Sequence, residues 1–241
     1  LLHLAWVWGG VRARRAVRAF VAAFRVGVLR AGPAAFGVVL TVASLARAGA
    51  PDAPVAVTGE EADLALLADG HSQRTNYQPA GITDRYGRAQ ILVNAPIGIV
   101  HRLVLDYGHY KEFTGGKFHT SRVIGKSAGG TEVYFQLSVM DGMITLWQIF
   151  RFQELKPLAR GWAMVEGWYV KGNIGRGNAA WTLHAIDDSR TVLTFDLLIL
   201  PNVPLPQSLL DEGLRNAAGE AVEAIRNRAE EAARPAASME E

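Results

Sequence analysis

The 241 residues predict an α+β fold, a curved antiparallel sheet of seven strands wrapped around one long C-terminal helix. Three observations predict it. From Arg85 onward, apolar and polar residues alternate in strand-length blocks separated by Gly and Asp. One stretch of helical period, opened by Pro96, interrupts those blocks after the first of them. A single long amphipathic stretch beginning near Pro206 closes the chain, and its one apolar stripe can be buried only against the sheet's concave face.

In chain order, the first strand runs from Tyr86 to Val93, and the Pro96 helix carries Ile99, Val100, Leu103 and Val104 at helical spacing before ending between Asp106 and Gly115. Strands follow at Ser121–Ser127, Thr131–Val139, Ile144–Gln153, Trp162–Lys171, Ala179–Ile186 and Thr191–Leu200. Gly129-Gly130, Asp141-Gly142 and Asp187-Asp188-Ser189 fall between them and supply the residue types that short hairpin turns require, so the order is a meander. Gly172–Gly177 reads as a loop. Pro201 stops the last strand, and on the helix that follows Leu210, Leu214, Ala217, Ala218, Ala221 and Ile225 share one stripe.

Residues 85–234 therefore form the domain, with 235–241 as a tail and 51–84 as a linker whose pattern is weak, a helical stretch at Glu60–Ala68 followed by a polar loop. Residues 1–50 differ in kind. They hold Arg12, Arg14, Arg15, Arg18, Arg25, Arg30 and Arg47 and no acid, which leaves 18 basic against 23 acidic side chains, a net of −5, in the rest. That balance argues against a nucleic-acid partner, which needs a basic folded surface. Arg25 and Arg30 precede an uncharged run over Ala34–Ala46 and then Ala48-Gly49-Ala50, the order of a cleaved export signal. The expected location is the bacterial periplasm or envelope; an uncleaved leader, amphipathic through Val17, Phe20, Val21, Phe24 and Val28, would tether the same domain to a membrane. The signal itself lies within Arg30–Ala50, so it holds wherever translation starts.

The absence of cysteine excludes disulfides and thiol chemistry, and no histidine has ligand-like spacing, so neither a metal nor another cofactor is expected. No nucleophile-elbow or phosphate-loop motif is present. What the strands offer instead is aromatic surface. Trp162, Met164, Glu166, Trp168 and Val170 share one face of their strand, and Trp181, Leu183 and Ala185 share one of theirs; Tyr134, Trp147 and Arg151 lie on the two strands before. With Ala217, Ala218 and Ala221 keeping the helix stripe thin, a void between sheet and helix is expected, of the apolar kind that binds small molecules. Its candidate lining is Tyr134, Trp147, Arg151, Met164, Glu166, Trp168, Trp181, Leu214 and Ala218. Glu166 is the sharpest of these, because a buried carboxylate needs a partner; the plain structural alternatives are a strand end in solvent or pairing with Arg151 or Lys171.

Val93-Asn94-Ala95-Pro96 with Val100, then Leu103 to Phe113, then Ser121-Arg122-Val123-Ile124 form a run that resembles the opening of the START/Bet v 1-like (SRPBCC) superfamily, particularly its polyketide cyclase/dehydrase and coenzyme Q-binding branch. Pro204-Leu205-Pro206-Gln207 at the entry to the last helix is similar too. The resemblance implies a helix-grip fold with Tyr110 and Phe113 packing the short helix on the sheet, and a cavity for a lipid, isoprenoid quinone or polyketide. Transient membrane contact is a further expected interaction. It carries over no catalytic residue. Carrying or sensing a hydrophobic molecule is the expected function; the alternatives are an aromatase/cyclase with Glu166, Arg151, Tyr134 or His184 as acid and base, and a protein-interaction domain without ligand.

Overall fold

In the computed structural model the sheet is antiparallel throughout, and its strands lie in the order β1-β2-β8-β7-β6-β5-β4-β3. The structure describes residues 64–114, 118–139, 144–155 and 159–234; the expected leader, the Asp141-Gly142 turn and the tail lie outside them. The first elements are a short helix α1 (Leu64–Leu67), strand β1 (Gln73–Tyr77) and strand β2 (Tyr86–Val93). Helix α2 (Ile97–Val104) follows, with Pro96 as its N-cap, then a 3-10 turn (Tyr107–His109) and one turn of helix, α3 (Tyr110–Phe113). Strands β3 (Phe118–Ser127), β4 (Gly130–Val139), β5 (Ile144–Leu155), β6 (Trp162–Gly172), β7 (Ile174–Ala185) and β8 (Thr191–Pro201) form the meander, and helix α4 (Gln207–Ala233) ends the fold.

Eight strands stand where the alternation predicts seven. The extra one is β1, inside the segment read as a linker, which pairs with β2 from Gln73↔Gln90 to Tyr77↔Tyr86. Its five residues, Gln-Arg-Thr-Asn-Tyr, carry no apolar alternation because β1 is an edge strand held largely by polar contacts to α4. Asn76 donates to the Asp211 carbonyl and accepts from Arg215, and Arg74 pairs with Glu223 at 2.8 Å. The Gly172–Gly177 segment also differs: only Asn173 separates β6 from β7, and Ile174 is buried in the core.

Helix α4 lies across β2 and β8 with β1 along one flank. Gly87 marks a close approach of helix and sheet, since a Cβ there would collide with the Leu214 backbone. Because directly paired residues share a sheet face, this fixes which face is inner. Gly87, Ala89, Ile91 and Val93 of β2 align with Leu193, Phe195 and Leu197 of β8, then with Ala179, Trp181 and Leu183 of β7. These pack with Ala218, Val222, Ile225 and Ala229 of α4 in one core. Burying each large aliphatic or aromatic side chain of that set stabilises the fold by about 1.5–3 kcal/mol before the entropy of ordering the chain is set against it.

Beyond the helix the inner face is filled by rings. Tyr107 stacks on Phe152 at 4.6 Å and Tyr110 lies 6.0 Å from Phe135, so the segment after α2 covers β4 and β5. The Tyr110 hydroxyl donates to the Val104 carbonyl at 2.6 Å, and Phe113 packs edge-on against Tyr110. Gly167 and Gly177 make room for these rings: a Cβ on Gly167 would lie 2.5 Å from the Phe152 ring, and one on Gly177 2.6 Å from Phe150.

Candidate functional site

The nine residues expected to line one cavity are divided by the sheet. Glu166 pairs across to Ala180, Ala180 to Asp196, and Asp196 to Arg88, all on the face away from α4. Met164 and Trp168, two residues either side of Glu166, share that outer face. Arg151 joins them opposite Trp168, and Tyr134 stacks on Trp147 there at 6.3 Å. Only Trp181, Leu214 and Ala218 lie inside. They are 2%, 6% and 0% exposed and packed as core, with Trp181 stacked on Phe195 at 3.9 Å. The alternation correctly groups Trp162, Met164, Glu166 and Trp168, but β6 is apolar on both faces, with Ala163, Val165 and Gly167 on the inner one, so hydrophobicity could not say which face points inward.

The outer face holds a buried polar row. Arg88 donates two hydrogen bonds to Asp196, Nε at 2.6 Å and Nη2 at 2.8 Å, and its guanidinium lies 3.7 Å from the centre of the Tyr77 ring. Burial pushes the Asp196 carboxyl up, and the Arg88 hydrogen bonds and charge pull it partly back. Glu166 is 2% exposed and accepts from the Asn178 amide at 3.2 Å. Arg151 pairs not with Glu166 but with Glu132, at 2.5 Å.

The inner face, by contrast, is apolar and incompletely covered. The contacts of Asn76 and Arg74 with Asp211, Arg215 and Glu223 set the β1 flank of α4, so at 3.6 residues per turn Leu210, Ala217 and Ala221 fall on the opposite flank, toward β7 and β6. Facing them are Leu197 and Ile199 of β8, Tyr169 of β6 and, farther along the sheet, Leu137 and Phe118, all half-buried and packed on the core. These residues give the inner face a half-buried apolar strip, the trough, with the Tyr169 and Phe118 rings along the sheet and Ala217 and Ala221 on the helix flank. The Tyr169 hydroxyl is engaged with the Gly172 and Ile174 carbonyls at 3.0 and 2.9 Å, and its phenol is pushed up by burial. At the other end of α4, where its last turn parts from α2, a cleft of about 440 Å³ opens over Ile99, Leu103 and Leu105, with Arg102 and Asp106 at its rim. Among the described residues no group of three or more acidic or histidine side chains could hold a metal ion.

With this architecture in place, solved structures supply the comparison. A STAR-related lipid transfer protein from Xanthomonas axonopodis superposes with a TM-score of 0.56 at 16% identity, over 65% of this chain and 92% of that one. The chain has the START-type helix-grip fold. Human StAR-related lipid transfer protein 5 matches at a TM-score of 0.54 and 11% identity, over 67% of this chain and 83% of its own. A START superfamily protein from Mycobacterium smegmatis matches at 0.52 and 13%, over 60% and 97%. No protein-family model matches the sequence, and no curated protein matches it.

Proposed function

We propose that this START-fold protein binds a hydrophobic small molecule, of lipid, isoprenoid quinone or polyketide type, in the trough between the inner sheet face and the Leu210–Ala217–Ala221 flank of α4, and carries or senses it. The observation that carries this reading is the half-buried apolar surface of Leu137, Tyr169, Leu197 and Ile199 on the inner face. Apolar concavities with few polar groups are where small molecules bind. The similarity in fold to lipid transfer proteins supports the same reading. The cyclase alternative is less favoured, because Glu166, Arg151, Tyr134 and His184 all lie on the outer face and none reaches the trough. The basic leader and its Ala48-Gly49-Ala50 site support export to the bacterial envelope, where such a carrier would move its ligand between membranes.

Native mass spectrometry of the purified protein, followed by solvent extraction, tests the binding. A stoichiometric, solvent-extractable adduct is expected. Ala221→Phe, which fills the trough from the helix side, is expected to abolish the adduct while the protein stays folded. An unchanged adduct in that variant would move the ligand elsewhere.

A further inference from the structure

One buried polar side chain on the inner face lacks a full set of partners. Gln148 pairs directly with Phe135 of β4, which places both side chains on the inner face. Gln148 is 3% exposed, yet its carboxamide oxygen has no hydrogen-bond partner among the described residues. Its neighbours are apolar: Leu146 and Phe150 lie two residues away along β5 on the same face, and Tyr169, opposite Phe150, has its hydroxyl already engaged. Leaving a buried amide group unmade is costly, whereas Leu or Met at this position would carry no such penalty. A polar group retained at a cost inside an apolar site is the ordinary arrangement for orienting a ligand.

We infer that Gln148 is the polar anchor of the trough, and that the ligand is an amphiphile bearing a hydroxyl group, seated with that hydroxyl on the Gln148 carboxamide and its hydrocarbon along Tyr169 and Ile199. A hydroxyl both donates and accepts, so it satisfies whichever end of the amide faces it. An ester or ether of the same shape only accepts and leaves the amide oxygen orphaned. The inference rests on the hydrophobic-ligand reading above and adds to it the chemistry of the ligand's head.

Calorimetric titration with two probes of equal size, 1-decanol and methyl nonyl ether, separates the two. In the wild type, decanol is expected to bind more tightly by roughly 2- to 10-fold, the range that one neutral hydrogen bond supplies. In Gln148→Leu the preference is expected to vanish, with the ether bound at least as tightly as before. Equal binding of both probes by the wild type, or a preference that persists in the variant, overturns the anchor while leaving the apolar site standing. Binding of neither probe overturns the site and the anchor together. Gln148→Leu is expected to keep or raise the urea midpoint, since it removes an unsatisfied amide; a large drop would show that the amide has a structural partner, and would equally overturn the inference. Gln148→Met provides the same comparison should the leucine variant fail to fold.

Discussion

Gly167→Ala is the sharpest probe of how the inner face is built. The added Cβ would sit 2.5, 2.7 and 3.0 Å from three carbons of the Phe152 ring, where carbon atoms in contact are about 3.5–4.0 Å apart. The ring must therefore retreat by about 1 Å, and it has nowhere to go. Phe152 is 5% exposed, stacked on Tyr107 at 4.6 Å and set edge-on to Phe135 at 6.1 Å. Overpacking of this kind costs about 1–3 kcal/mol, a fall in Tm of about 2–4 °C per kcal/mol for a protein of this size. Phe152→Ala alone should cost about 3–5 kcal/mol through the cavity it leaves. In the double variant the methyl group enters vacated space, so the two effects should fall short of their sum by most of the overpacking cost. Urea denaturation of the four proteins measures this. Effects that add within about 0.5 kcal/mol would refute the reasoning: Phe152 would then not lie over Gly167, and the ring packing that fills the inner face over β4 and β5 would be wrong.

The outer-face ion pair gives a second test: Arg88→Met, which strands the Asp196 carboxylate, should destabilise by about 3–5 kcal/mol, while Arg88→Met with Asp196→Leu should recover most of it; a silent single variant would mean the pair is not buried. His109 lies 2.6 Å from Asp106, whose hydrogen bond and charge raise the imidazole above its ordinary 6.5; an NMR titration should show that rise, and Asp106→Asn should reverse it. Glu223 works in the opposite direction. Burial alone would raise it, but the hydrogen bonds from Ser72 and Arg74 leave it lowered. A carboxyl depressed in the folded state contributes stability above its unfolded value and loses it as the pH falls through the folded one. Amide exchange in β1 should therefore quicken, relative to β2, as the pH drops below about 4.5, and Glu223→Gln should remove that acceleration.

Most strand and helix boundaries were legible because they depend on local periods and stop signals; the start of β7 was not, since the glycines of Gly172–Gly177 read as a loop while Ile174 already pairs in the sheet. Pro96, Gly129-Gly130, Pro201 and Pro206 punctuate the chain where the structure does, since a proline lacks a donor and a glycine turn needs no Cβ clearance. The core stripe of α4, Leu214, Ala218 and Ile225, was legible for the same reason. β1 was not, because an edge strand held by side-chain bonds to a helix 135 or more residues away leaves no hydrophobic rhythm of its own.

The candidate site divides along the same line. Alternation by itself determined that Trp162, Met164, Glu166 and Trp168 share a face, and that Trp181 shares one with Leu183. Which of the two faces α4 covers was decided only in three dimensions, by the absence of a side chain at Gly87 and by rings from β5 lying over Gly167 and Gly177. A period of two distinguishes faces but does not orient them when both are apolar. The orientation came from long-range packing, and it moved Glu166 and Trp168 to the outside of the sheet and brought Gln148 to the inside.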